Sequence, residues 1–130
     1  MILEVAILEV IPQQTLSFEK DFEKASAIIS SMKGYHGHQL QRCLEVSNRY
    51  LLLVNWEELT DHTIGFRQSA AYLDWKALLH QYYDPFPTVE HYEMVYSGSI
   101  TNLSSGSANF NPGSLNEQSD DAEQSRSAAV

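Results

Sequence analysis

His62 and Arg67 stand five residues apart at the head of a stretch, Asp61 to Tyr92 (DHTIGFRQSAAYLDWKALLHQYYDPFPTVEHY), that holds four of the chain's seven tyrosines, one of its two tryptophans and three of its five histidines. Rings at that density beside a few polar groups are the composition of a small-molecule site, so a pocket hypothesis starts here. Spacing excludes other chemistries. His36 and His38 share a predicted strand face, while His62, His80 and His91 are scattered along the chain; no zinc-like spacing results and no metal is expected. Glu90 and His91 are neighbours in a predicted strand and point to opposite faces, so they form no dyad. Cys43 is the only cysteine, and it has neither an adjacent base nor a helix N-terminus to lower its pKa, which argues against a nucleophile. The absence of a Gly-rich phosphate loop removes the usual nucleotide and dinucleotide cofactors.

Composition narrows the partners. Seventeen acidic against eight basic residues give a formal net charge of -9. Nucleic-acid affinity rests on clustered Lys and Arg, which are scattered here, so no nucleic acid is expected. The opening MILEVAILEV is apolar but carries Glu4 and Glu9, lacks a basic region and has no small-residue cleavage site, and reads as neither a signal peptide nor a membrane span. A lone cysteine makes no internal disulfide, in keeping with a cytoplasmic location.

The elements that must position the stretch follow from periodicity. Ile2 to Ile11 is apolar on both parities, as in a strand covered on both sides, and Pro12 ends it. From Thr15, apolar positions Phe18, Phe22, Ala25, Ile29 and Met32 recur at helical steps, and Gly34 is the expected C′ residue. Tyr35 to Val46 alternates weakly and Arg49 to Glu58 is the strongest strand; a two-residue Ser47-Asn48 link makes them a hairpin. Thr60 and Asp61 offer N-cap oxygens for a short helix through Phe66 or Arg67, and Ser69 caps the next. There Tyr72, Trp75, Leu79 and Tyr82 form one stripe, ended by Asp84-Pro85-Phe86-Pro87. Thr88 to Tyr96 is the last strand, and the Ser-, Asn- and Gln-rich residues 99–130 read as a disordered tail after a domain of residues 1–98.

Strand, helix, strand, strand, helices, strand is the order of an α+β, ferredoxin-like split β-α-β subunit with a four-stranded antiparallel sheet. Both helices on one face leave the other bare, yet the first and third strands are apolar on both parities. The bare face is therefore expected to meet a second copy, giving a homodimer whose sheets pack face to face as an α/β barrel.

The run Leu51 to Glu57 (LLLVNWE), then Asp61-His62-Thr63, Gly65-Phe66-Arg67, Tyr72, Trp75, Leu78 and Leu79, and Tyr83-Asp84-Pro85-Phe86-Pro87 with Val89 to Tyr92, resembles the antibiotic biosynthesis monooxygenase family over roughly residues 1 to 97. The resemblance implies a dimeric α/β barrel and oxidation by O2 without flavin or metal: a small aromatic or polyketide-like substrate is deprotonated and its carbanion reduces oxygen. That chemistry needs a ring-lined pocket, a base near neutral pKa and polar groups to hold an anion. On this reading His62 is the base or a hydrogen-bonding group and Arg67 the anion holder; the structural alternatives are a locally packed helix residue and a salt bridge. Asn55 and Trp56 end the third strand on opposite parities, and parity does not choose which faces the pocket; Asn55 is the sharper polar candidate, or else a strand-end residue open to water, and Trp56 is otherwise core. Phe66, Tyr72 and Trp75 are candidates to wall the substrate, or else core. A haem-degrading relative would carry an Asn on the first strand, a Trp ten residues after Trp56 and a His ten further on; the first strand has no Asn and the two positions are Phe66 and Lys76. A non-catalytic dimer that binds a small ligand or serves a stress response is the alternative from another class.

Overall fold

The computed structural model describes residues 1–100. Four strands, β1 (Ile2–Glu9), β2 (Tyr35–Arg42), β3 (Arg49–Trp56) and β4 (Val89–Glu93), form one antiparallel sheet in the order β2-β3-β1-β4. Two helices, α1 (Thr15–Ile29) and α2 (Ala70–Leu79), complete the ferredoxin-like α+β fold that the element order predicts.

Alternation along the central strands decides where the core sits. Ala6 and Leu8 on β1, with Tyr50, Leu52, Val54 and Trp56 on β3, are buried against Phe18, Phe22, Ala25 and Ile29 of α1 and Trp75 and Leu79 of α2. Each of the larger aliphatic and aromatic side chains buried here contributes roughly 1.5–3 kcal/mol relative to exposure. Among the described residues no helix lies over the opposite parity, Leu3, Val5 and Ile7 with Leu51, Leu53 and Asn55: Ile7 is 53% exposed and the other aliphatic residues there are half-buried.

Several boundaries differ from the periodic reading. α1 ends at Ile29, short of Gly34, because Ser31 turns back on the helix, its hydroxyl and amide both donating to the Ile28 carbonyl (2.8 and 3.2 Å). Gly34 instead makes the turn into β2 at φ 84°. The β2–β3 link is residues 43–48 in place of a two-residue turn, closed by Cys43 N–H to the Arg49 carbonyl at 2.8 Å and Arg49 N–H to the Val46 carbonyl at 3.0 Å. β4 is shorter than expected, and the segment before it joins the sheet early: Tyr83 bridges Val10, and the Asp84 N–H donates to the Glu9 carbonyl at 2.9 Å. Ser69 caps α2 as predicted, its hydroxyl accepting from the Tyr72 N–H at 3.1 Å. The predicted tail falls almost wholly outside the described residues.

Candidate functional site

The site begins with a carboxylate in the wrong company. Glu4 occupies the inward parity of β1 between apolar neighbours and is 2% exposed. Its cross-strand partners are Val54 on one side and His91 on the other, so Glu4 and His91 share the helix-side face. Glu90 pairs with Val5 on the opposite face, in line with the parity argument. Trp56 ends β3 on the same inner face, and its Nε1–H donates to Glu4 Oε1 at 2.9 Å.

His62 completes the cluster from above. The segment Asp61–Phe66 is a π-helical turn, not the α-helical one the capping signal suggests. Thr60 makes no side-chain cap; Asp61 instead turns back, accepting from the Glu58 N–H (3.0 Å) and from Lys33 Nζ (3.3 Å). Asp61 also lies over Gly34, where a Cβ would stand 2.1 Å from its Oδ2. Anchored this way, the turn drives His62 inward to 1% exposure, stacked on Trp56 with centroids 5.5 Å apart and planes within 16°. His62 Nε2 lies 3.5 Å from Glu4 Oε1, and Nδ1 bonds His91 Nε2 at 2.8 Å.

Burial sets the protonation states. Desolvation pushes the Glu4 carboxyl from 4.5 up to about 7, against the opposing pull of the Trp56 hydrogen bond and the Arg67 charge. Desolvation, reinforced by Arg67 and His91, pushes His62 from 6.5 down to about 3, so its ring is neutral throughout the physiological range. Burial and Arg67 lower His91 as well. Two neutral imidazoles in series then have two arrangements. His91 donates to His62 Nδ1 and the His62 proton faces Glu4, or His62 donates to His91 and a bare Nε2 faces a protonated Glu4.

Arg67 follows the π turn, its N–H bonded to the His62 carbonyl at 3.1 Å. Its charge reaches Glu4, His62, Tyr72 and His91. Its Nε and Nη2 are buried without a hydrogen-bond partner among the described residues, as are Trp75 Nε1 and Tyr83 Oη. Phe66 stands at the centre of the aromatic wall, with centroids 5.3 Å from Tyr72, 5.6 Å from Trp75 and 5.9 Å from Trp56.

The structure thus brings His62, Arg67, Trp56, Phe66, Tyr72 and Trp75 together, and leaves out Asn55. That side chain lies on the helix-free face, exposed, because the inward parity of β3 belongs to Trp56. Glu4, His91 and Tyr83 were missed. Glu4 left a signal, as the one charge on the parity Ile2, Ala6, Leu8, Val10. His91 left none, since only strand register sets it beside Glu4. His36 and His38 do not pair either: a bulge between Tyr35 and Gly37 parts them, His36 meeting Glu57 (2.6 Å) and His38 bonding Tyr35 Oη (2.5 Å) and Ser26 Oγ (2.9 Å). Among the described residues no cluster of three His, Cys, Asp or Glu side chains fits a metal ion, and no helix is long and apolar enough to cross a membrane.

A ferredoxin-like subunit with a ring-lined polar cluster between its sheet and a π-helical turn is the class these features define. The chain belongs to the antibiotic biosynthesis monooxygenase family, whose model matches residues 1–78. It is 53% identical over 95 residues to an uncharacterised protein of Bacillus subtilis strain 168, YczJ, covering 73% of this chain and 100% of the relative. A crystal structure from Bordetella bronchiseptica, of a protein ascribed to the same family, superposes with a TM-score of 0.71 at 34% identity, covering 73% of this chain and 97% of that one. SnoaB from Streptomyces nogalater, a cofactor-independent oxygenase, has a TM-score of 0.55 at 20% identity, with 78% of this chain and 97% of that one covered, a likeness of fold alone.

Proposed function

We propose that this protein is a homodimeric, cofactor-independent monooxygenase that oxidises a small aromatic or polyketide-like substrate with O2. The observation that carries the reading is Glu4, a buried carboxyl brought near neutral pKa and connected through His62 to His91, with the Arg67 charge beside it. Family membership supports the reaction type.

In this mechanism Glu4, not His62, is the base, because a group that titrates near 7 both accepts and returns a proton at working pH. Ionised Glu4 takes a proton from an acidic C–H of the substrate, an anthrone methylene for example, and Arg67 holds the resulting enolate. The carbanion gives one electron to O2, the substrate radical and superoxide combine into a C–O bond, and the peroxide takes up a proton. Loss of the second C–H proton, with cleavage of O–O, leaves a carbonyl and water. The balance is one methylene group and one dioxygen consumed, one carbonyl group and one water formed. His62 and His91 are the path by which Glu4 exchanges protons with the outside.

The homodimer is supported by the helix-free face of half-buried aliphatic side chains, and a cytoplasmic setting by the single cysteine. The near-complete burial of Glu4 and His62 favours a second reading, a non-catalytic dimer that binds a small ligand. Oxygen uptake by the wild type over a panel of anthrones, quinols and phenols separates the two: turnover above buffer supports the enzyme, and none across the panel overturns it.

A further inference from the structure

Among the described residues, four buried polar atoms lack partners, Arg67 Nε and Nη2, Trp75 Nε1 and Tyr83 Oη: three obligate donors and one hydroxyl. Buried polar groups in native proteins are nearly always satisfied, so a set of donors left over inside a site implies an acceptor that arrives with a ligand. The two Arg67 atoms define its shape. Nε–H and Nη2–H project in parallel from one edge of the guanidinium, the fork that grips two oxygens at once. The neighbouring walls are rings: Phe66 faces Tyr72, Trp75 and Trp56, and Tyr83 lies close to Tyr72 and Glu4. Trp75 is 1% exposed and Tyr83 8%, so water does not compete freely for their donors.

We propose that the ligand of this site is a flat monoanion presenting two oxygens that share one negative charge, a carboxylate or the enolate of a 1,3-dicarbonyl, to the Nε–Nη2 edge of Arg67, with Trp75 and Tyr83 as further donors. The inference rests on the monooxygenase reading of the same site and narrows its substrate to compounds that carry such a group. Glu4 does not serve as that acceptor: neither Arg67 nitrogen has a hydrogen-bond partner among the described residues, and the Glu4 Oε1 accepts from Trp56 instead.

Titration calorimetry on the full chain tests it with 1-naphthoate, the neutral isostere 1-naphthamide, enolised 2-acetylcyclohexane-1,3-dione and inorganic phosphate. The acid or the enol is expected to bind about tenfold or more tighter than the amide, and whichever of the two binds identifies the source of the oxygen pair. Arg67→Lys, which keeps the charge and loses the fork, is expected to lose most of that preference. Equal affinity for acid and amide, full retention of binding in Arg67→Lys, or phosphate binding as well as naphthoate each overturns the proposal. A variant that fails to fold is bypassed by following the Arg67 Nε–H resonance of the wild type, expected to move downfield on adding naphthoate; no movement at saturating acid counts against it. None of these readouts needs turnover, so a failure to bind the anion and a failure to consume oxygen are told apart.

Discussion

The backbone N–H of Arg67 donates to the carbonyl of His62 at 3.1 Å, an i to i+5 bond that closes one π turn and sets both side chains on the same side of the chain. At 3.6 residues per turn the same spacing would place them about 140° apart, and Arg67 would leave the site. Deleting Ile64, which is 52% exposed, removes the extra residue and lets the turn relax to α-helical. Circular dichroism is expected to show a folded chain, while oxygen uptake drops about 100-fold or more, as for loss of an anion-stabilising group. Full activity in the deletion would mean that the π turn does not matter.

Glu4 imposes a pH signature on stability. Its folded pKa of about 7 exceeds the ordinary 4.5, so the folded state holds its proton more tightly, and stability from this group falls as pH rises from about 4.5 through 7. His62 acts in the opposite sense, its pKa lowered to about 3 making stability rise between pH 3 and 6.5. Glu4→Gln isolates the first effect. Relative to wild type, the variant is expected to gain on the order of 2–3 kcal/mol at pH 8 over its position at pH 5, measured by urea unfolding at both. A difference independent of pH would show that Glu4 does not titrate in this window.

His91 is half-buried at the outer end of the Glu4–His62–His91 chain. His91→Gln keeps a hydrogen-bonding side chain but cannot carry a proton through. Turnover is expected to fall about 10- to 100-fold and to recover in part with added imidazole, while Arg67-dependent binding of 1-naphthoate stays within about twofold. Loss without imidazole rescue would assign His91 a packing role only.

Gly34 links the α1–β2 turn to the site. Its φ of 84° disfavours a side chain, and an added Cβ would meet Asp61 Oδ2 at 2.1 Å. Gly34→Ala is expected to cost about 1–3 kcal/mol in a thermal or urea melt. Because the displaced Asp61 opens the π turn, the same variant should also weaken 1-naphthoate binding. An unchanged melt would show that Asp61 moves aside freely.

Val5 and Leu53 are cross-strand neighbours at the middle of the helix-free face, both half-buried. Leu53→Lys places a charge there without touching the core behind the sheet. Light scattering is expected to give a dimer mass for the wild type and a monomer mass for the variant. A monomeric wild type would refute the dimer outright.

Local rules carried the frame. Two apolar parities on β1 and β3, a 3.6-residue stripe on α1 and a capping serine before α2 are all short-range signals, and the element order they produced is the observed one. The boundary errors are local too, where side-chain bonds such as those of Ser31 and the Cys43–Arg49 ladder competed with the expected cap and turn. The site is a different matter. Trp56 faces inward and Asn55 outward because β3 pairs with β1 in one register, and a shift of a single residue would exchange them. Glu4 and His91 are far apart in sequence and meet only across that sheet. The His62–Arg67 pairing depends on an i to i+5 turn held open by Asp61 over Gly34, which no α-helical period predicts. The sequence by itself determined the elements and the family resemblance, since those rest on neighbours along the chain. Only the tertiary structure decided which polar groups face one another, because that is set by strand register and one irregular turn.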